Sequence, residues 1–329
     1  MEYEEAKKRG LTVFKEPRTI RLDPINICTR KCEFCGYKFL NKQEKIYIDK
    51  NIINKIVQEI PELKRIILGF NNEPLLHPNI IEVIQNFRQL KNLSICMISN
   101  GDLIINNSIK LLDLFLNGLN VLMIDIYDER ALNYWNGNAE SIKEKGIQIK
   151  NYYETNYLYK SSGGKEKILV LCNAINFTLK KKAVRNWHTY GGTIPFEYWR
   201  EGSLLNYPIK KQCLDPLKFL NISSNGNIPI CCRDMSGSTS IGNIYKDNLK
   251  DIWTSNKNRI IQYILKAGRR DLIPCCFFCS TLSQRVGLYP YIGKDYSLEE
   301  IKLELDQICK ITINITHNQN QWKVINGIK

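Results

Sequence analysis

Residues 18–38 read RTIRLDPINICTRKCEFCGYK. The first ten place apolar side chains at Ile20, Leu22, Ile25 and Ile27 and predict a strand. That strand runs into a loop holding Cys28, Cys32 and Cys35 at a C-x3-C-x2-C spacing. Three thiols this close predict a metal centre, and a centre with three protein ligands keeps one position open for something else. The spacing alone also admits zinc with a distant fourth ligand, for which the chain offers only three histidines, His77, His188 and His317.

Downstream of the loop, helical and strand patterns alternate. A helix is expected over 51–60, a strand over 65–69, a helix near 78–90 and a strand over 93–99. SIKLLDLFLNGL at 108–119 puts Ile109, Leu112, Leu116 and Leu119 on one helix face. Strands follow at 121–127, 147–153 and 167–177. Near-continuous apolar strands separated by helices predict a parallel sheet covered by helices. Five or six βα units before residue 180 fit an open or partial barrel, where chemistry sits at the carboxyl ends of the strands. The three-cysteine loop follows the first strand and lies at that end.

The chain has 329 residues, 43% hydrophobic and 24% charged, an ordinary globular composition with room for a catalytic domain and a smaller one. No run of about 18 apolar residues predicts a membrane span. The start, MEYEEAKKRG, does not read as a signal peptide, and a cytoplasmic location is expected. In a reducing compartment, twelve cysteines, three of them within 28–35 and six within 213–279, favour metal ligation over disulfides. The net charge of +14 comes from scattered lysines rather than a basic groove, so nucleic acid is not an expected partner.

The pattern changes near residue 191. KFLNISSNGNIPICC reads as a hairpin turning at Asn225-Gly226. Cys213 and Cys231 stand near its ends, a helix is expected over 246–267, and Cys276 and Cys279 follow as C-x2-C. Four thiolates make a closed, fully protein-ligated centre; an iron–sulfur cluster and a structural zinc both satisfy that count. Cys231 and Cys276 each have a cysteine neighbour, Cys232 and Cys275; the G-x4-C and C-x2-C spacings select Cys231 and Cys276. Cys96, Cys172 and Cys309 sit in apolar patterns and read as core.

The first cysteine loop resembles that of radical S-adenosylmethionine enzymes, with the family's aromatic before the last cysteine supplied by Phe34. The resemblance implies a [4Fe-4S] cluster on Cys28, Cys32 and Cys35, whose open iron binds S-adenosylmethionine. GFNNEPLLHP at 69–78 resembles the family's Gly-Gly-Glu-Pro turn, which makes Glu73 the acceptor of the methionine ammonium. Asn71-Asn72 replaces the usual glycines, and Asn tolerates the left-handed backbone such a turn would need. Ser99-Asn100-Gly101 resembles the ribose-binding segment, and Asp125 is a further candidate to line the cofactor pocket. The second cysteine region resembles the family's SPASM/twitch extension, in the shorter twitch form with one auxiliary [4Fe-4S] cluster on Cys213, Cys231, Cys276 and Cys279.

The implied fold is α/β: a partial (β/α)6 TIM-like barrel over 18–190 and a twitch domain of β-hairpin plus helix over 191–280. Residues 1–17 and 281–329 are extensions. The resemblance implies a 5′-deoxyadenosyl radical that abstracts hydrogen, served by an electron donor such as flavodoxin or ferredoxin. Only 27 residues precede Cys28, so a leader-peptide-binding domain is not expected there. A small polar substrate (sugar, aminocyclitol or nucleotide sugar) and an oxidation are expected. Epimerisation or peptide maturation is the alternative, and a non-catalytic metal-binding scaffold is the alternative of another class. An epimerase needs a hydrogen donor, for which Cys232 is the candidate: in a strand it points away from Cys231. The segment Arg185–Gly192 offers polar and aromatic groups for substrate, or a linker.

Overall fold

Seven parallel strands form the central sheet of the computed structural model: β1 (Thr19–Leu22), β2 (Arg65–Leu68), β3 (Ser94–Ser99), β4 (Val121–Ile126), β5 (Gln148–Asn151), β6 (Ile168–Asn173) and β7 (Phe219–Ile222). The described residues are 16–32, 34–40, 44–151, 166–173, 193, 208–279 and 299, with the backbone of 312–318 and 321–327. Parallel neighbours need a crossover rather than a tight turn. Those among β1 to β5 carry α1 (Lys50–Glu59), α2 (Ile80–Phe87), α3 (Asp102–Ile105), α4 (Leu111–Leu116), α5 (Glu129–Gly137) and α6 (Ala139–Glu144). Helix α1 starts where the Asp49 carboxylate accepts the Ile52 N–H at 3.0 Å. It buries Ile52, Ile53 and Ile56, each worth about 1.5–3 kcal/mol relative to exposure.

The strand order is β5-β6-β4-β3-β2-β1-β7, so β6 inserts between β4 and β5. Alternation along the strands sorts the two faces. Ile20, Leu22, Ile66, Leu68, Ile95, Met97, Leu122 and Ile124 pack into the main core. Ile67, Cys96, Val121, Met123, Ile168 and Val170 form a smaller cluster on the opposite, inner face. The register pairs Asp125 with Cys172, which brings both to that inner face at the carboxyl ends of β4 and β6.

The C-terminal segment is built into the same body. Helix α7 (Asp215–Lys218) leads into β7, which pairs with β1 parallel and in register, Thr19 opposite Phe219. The Asn225-Gly226 turn forms, with Gly226 at φ +79° and Ser223 donating its N–H to Asn227 O at 2.9 Å. Its arms then diverge: β7 stays in the main sheet, while β8 (Asn227–Pro229) pairs with β9 (Ser240–Asn243). The single helix expected over 246–267 is two, α8 (Leu249–Thr254) and α9 (Asn256–Lys266). Ser255 separates them because its extended backbone breaks the first helix, and its hydroxyl accepts the Asn258 N–H that opens the second. Ile228, Leu249, Trp253, Ile260 and Ile264 join the sheet's main core. The Leu249 N–H also donates to Glu59 of α1 at 2.7 Å. Last in this segment comes α10 (Pro274–Phe277).

Near the C-terminus, where the alternating ITINIT reads as a strand, β10 (Thr312–Asn318) pairs antiparallel with β11 (Gln321–Gly327). ETNYLYKSSGGKEK at 154–167 reads as a polar insertion and the stretch near 297–309 as a helix; all of these but residues 166, 167 and Glu299 lie outside the described residues, as do the 185–192 linker and Cys309. No helix among the described residues is long and apolar enough to cross a membrane.

Candidate functional site

The three-cysteine loop leaves β1 at the carboxyl edge of the sheet and is held by short local bonds. Cys35 donates its N–H to Cys32 O at 3.1 Å, and Arg30 its N–H to Cys28 Sγ at 3.4 Å. The Asn100 side-chain amide reaches the same sulfur at 3.8 Å. Burial pushes the thiols of Cys28 and Cys32 up to about 11; the negative charge of Glu73 adds to the first and that of Cys35 to the second. A metal that binds them must therefore displace protons.

Arg30 fastens this loop to the ends of two neighbouring strands. Its guanidinium grips Asp102 at the start of α3 with two bonds, Nε to Oδ2 at 2.7 Å and Nη2 to Oδ1 at 2.6 Å. Nη2 also reaches Asp128 at 2.9 Å, whose other oxygen caps α5 through the Ala131 N–H. The paired donors match a carboxylate in one plane, so the loop's orientation is fixed as well as its position. Thr29 accepts from Asn100 at 2.9 Å and completes the tie.

Glu73 joins the turn after β2 to the end of β3. It is 1% exposed, and its carboxylate accepts from the Ser99 hydroxyl (2.8 Å), the Asn100 N–H (2.9 Å) and the Leu75 N–H (3.1 Å). Burial outweighs these donors and raises its pKa to about 7. The turn needs its left-handed residue at Gly69, φ +79°, and not at Asn71 or Asn72, neither of which has a positive φ. Instead Asp23, at the end of β1, collects the N–H groups of Phe70 (2.8 Å) and Asn71 (3.1 Å). Burial lifts the Asp23 carboxyl to about 7 against those bonds. The amide oxygen of Asn71 is buried without a hydrogen-bond partner.

On the inner face, Asp125 accepts from the Tyr127 hydroxyl at 3.1 Å and from the Cys172 thiol. Burial raises Asp125 to about 6; burial and the neighbouring carboxylate raise Cys172 to about 12. Cys172 is half-buried and hydrogen-bonded, unlike the packed core residue its apolar strand predicts; Cys96 is fully buried. Phe34 lies with its ring 5.5 Å from that of Tyr127, which links this group to the cysteine loop.

The second cysteine region forms a cavity lined by Cys213, Cys231, Cys275, Cys276 and Cys279, with Pro216, Arg233, Asp234, Leu265 and Arg270. Cys232 is not among the lining residues. Its Sγ accepts from Arg21 Nη1 at 3.2 Å, and Arg21 also reaches Asp215 at 3.7 Å. A hydrogen bond from Cys231 and the Arg21 charge lower the Cys232 thiol, while Cys231 retains its proton. Of the adjacent pair in α10, Cys275 accepts from Thr239 Oγ1 at 3.3 Å, whereas Cys276 is close enough to Cys213 and Cys279 for their charges to act on it.

Four thiolates on one zinc, at bonds of about 2.3 Å, stand about 3.8 Å apart. Among the described residues, the only three potential ligands within 4.8 Å of one another are Asp215, Cys231 and Cys232. Neither the Cys28–Cys32–Cys35 set nor the Cys213–Cys231–Cys276–Cys279 set is that tight. His77 is engaged elsewhere, bonded to Ile48 O at 3.0 Å and to the Asn79 N–H at 3.1 Å.

The structure thus brings Cys28, Glu73, Ser99 and Asn100 into one bonded group, with Phe34 and Asp125 joined through Tyr127. Sequence reasoning did not single out Arg30, Asp102, Asp128, Asp23 or Tyr127. Asp102 and Asp128 carried a readable signal, since each stands at a helix start directly after a strand. Nothing local marks Arg30 or Asp23.

Residues 22–145 match the family model of the radical SAM superfamily, and residues 213–280 match that of the SPASM iron–sulfur cluster-binding domain. Among curated proteins, the "S-adenosyl-L-methionine-dependent 2-deoxy-scyllo-inosamine dehydrogenase" of Niallia circulans is 23% identical over 83% of this chain and 97% of its own length. A "Probable GTP 3',8-cyclase" of Methanococcus maripaludis is 31% identical over 41% of this chain, and the match spans about half of that relative's length, 47%. Among solved structures, BtrN in complex with AdoMet and 2-DOIA superposes with a TM-score of 0.58 at 19% identity, covering 82% of this chain and 96% of that one.

Proposed function

The chain belongs to the radical S-adenosylmethionine superfamily and carries an iron–sulfur domain of the SPASM type, and on that footing we propose that it oxidises a small polar, hydroxylated substrate. The observation that carries the reading is the similarity to the inosamine dehydrogenase, which covers 83% of this chain and 97% of that protein's length. A sugar, aminocyclitol or nucleotide sugar is the substrate class it supports.

Cys28, Cys32 and Cys35 are assigned to the catalytic [4Fe-4S] cluster. Their donor set suits it: three soft thiolates set wider than a single ion requires, with N–H groups of Arg30 and Asn100 directed at the Cys28 sulfur. Held by these three cysteines, a cluster with S-adenosylmethionine would supply radical hydrogen-atom abstraction from substrate. Glu73 and the unpartnered amide oxygen of Asn71 are acceptors on one turn, suited to the methionine ammonium. Ser99 and Asn100 hold Glu73 in place, and Phe34 and Asp125, joined through Tyr127, are assigned to the cofactor site. Arg30 orients the cluster loop.

Cys213, Cys231, Cys276 and Cys279 are assigned to the auxiliary cluster, supported by their shared cavity. There they hold an electron acceptor for the oxidation. The electron for cofactor cleavage is assigned to a small carrier of the flavodoxin or ferredoxin class.

Epimerisation is the second reading, and one observation favours it: the half-buried Cys172 thiol beside Asp125 on the inner face. Cys232 is held by Arg21 and is the poorer hydrogen donor of the two. Anaerobic reconstitution tests the whole reading: about eight irons and eight sulfides per chain support two four-iron clusters, and stoichiometric zinc overturns it. Turnover of the natural substrate in D2O then decides the outcome. Loss of two hydrogens supports oxidation; unchanged mass, or gain of one deuterium at carbon, assigns epimerisation.

A further inference from the structure

Of the two arginines that line the auxiliary cavity, Arg233 is half-buried and Arg270 fully buried. Arg270 is 1% exposed and lines the same space as Cys213, Cys231, Cys276 and Cys279. Its Nε donates to Lys211 O at 3.0 Å and its Nη2 to Gln212 O at 3.3 Å, the two carbonyls immediately before Cys213. The guanidinium therefore shapes the segment that delivers Cys213, and its charge acts on the thiols of Cys213 and Cys276.

Desolvating an arginine this far is costly, and bonds to carbonyls of this kind could be made by a neutral amide as well. What a neutral amide cannot supply is a permanent positive charge beside four thiolates. A cluster's reduction potential depends on the net charge around it, the hydrogen bonds to its sulfurs and its exposure. Reduction adds a negative charge, so a fixed cation in a water-poor cavity favours the reduced form. Two carboxylates oppose that cation, Asp215 acting on the Cys213 thiol and Asp234 on that of Cys275; Asp234 also accepts from the Ser238 N–H at 2.9 Å and the Thr239 N–H at 2.7 Å.

We propose that Arg270 is a positioning residue that holds the Cys213 segment and, by its charge, raises the reduction potential of the auxiliary cluster so that it serves as an electron acceptor. This rests on the assignment of the four cysteines to that cluster.

The test is a redox titration of the reconstituted full-length protein, followed by electron paramagnetic resonance. The signal to follow is the one that added S-adenosylmethionine leaves unchanged, and iron is counted in every sample. At the wild-type midpoint, Arg270→Gln should lower the reduced-to-oxidised ratio of this cluster at least tenfold, about 59 mV for one electron. Arg270→Lys, which keeps the charge but loses the fork, should stay within about threefold. A fully loaded Arg270→Gln protein with the wild-type midpoint overturns the proposal. Should Arg270→Gln lose the second cluster, Arg270→Lys decides: a wild-type midpoint supports the role of charge, and a tenfold shift at full iron overturns it. Wild-type protein holding about four irons instead of about eight overturns the auxiliary-cluster assignment itself, and this inference with it.

Discussion

Replacing Gly69 by Ala probes the turn that presents Glu73. Gly69 sits at φ +79°, where an L side chain costs about 1–2 kcal/mol. An added Cβ would stand 2.8 Å from Pro74 Cδ and 2.9 Å from the Ile98 carbonyl oxygen. Neither neighbour is the free end of a flexible chain: Pro74 is buried at the start of a 3-10 turn, and Ile98 lies in β3. Overpacking of this kind adds about 1–3 kcal/mol, so the total loss should be about 2–5 kcal/mol. Gly146 is the control. Its φ is +76°, yet an added Cβ there meets nothing within 4 Å, so Gly146→Ala should lose only the conformational 1–2 kcal/mol, roughly. Urea unfolding of the two apoproteins, with equal m values, measures the difference. The clash bears on Ile98, next to Ser99, and on Pro74, next to Glu73. Gly69→Ala should therefore also weaken S-adenosylmethionine binding to the reconstituted protein in calorimetry, and Gly146→Ala should not. Equal urea midpoints for the two variants would refute the steric argument, and unchanged cofactor affinity in Gly69→Ala would separate the turn from the site.

Cys35→Ala should cut iron from about eight to about four per chain and abolish 5′-deoxyadenosine formation; product at the wild-type rate removes Cys35 from the ligands. Cys276→Ala should lose the auxiliary cluster yet still cleave the cofactor, and iron loss in Cys275→Ala instead would move the ligand by one residue. The apoprotein should become more resistant to urea as pH falls from 8 towards 5. Glu73 and Asp23 are raised to about 7 and Asp125 to about 6, so the folded state holds protons that the unfolded state has released. Their contribution is fully present below about pH 4 and lost as pH rises through 6 to 7; Glu73→Gln should flatten part of the slope, and a midpoint that falls on acidification contradicts the sign.

The alternating strands and helices were legible because each depends on local periodicity: Ile66 and Leu68 against Ile67, or Ile52, Ile53 and Ile56 on one helix face. The strand order was not. That β6 inserts beside β4, and that Phe219–Ile222 pairs with a strand about two hundred residues earlier, depends on long-range packing that local pattern does not encode. The same limit applies within the site. Cysteine spacing announced the loop, because ligand chemistry constrains neighbours in sequence. Arg30 and Asp23 act on Asp102, Asp128, Phe70 and Asn71, and their importance exists only after folding. The Asn71-Asn72 pair misled for a related reason: its residue types fit a left-handed turn, but the positive φ falls on Gly69, and Asp23 holds the following N–H groups.

One consequence of the long-range pairing reaches the chemistry. β1 lies between β2 and β7 in matched register, Thr19 opposite both Arg65 and Phe219. The strand that delivers Cys28 is therefore hydrogen-bonded on one side to the strand leading to Glu73 and on the other to the segment between Cys213 and Cys231. Asp23 extends this continuity by donating its N–H to Ile222 O at 2.9 Å while its carboxylate holds the Glu73 turn. Arg21, two residues earlier, bonds to Cys232 beside the auxiliary cavity. A parallel ladder tolerates no one-residue slip, because a slip would move every side chain to the other face. The two cysteine sets are thus fixed relative to one another through backbone hydrogen bonds, not through a linker. Under the proposed oxidation, that fixed spacing would hold the electron acceptor at a constant distance from the substrate radical.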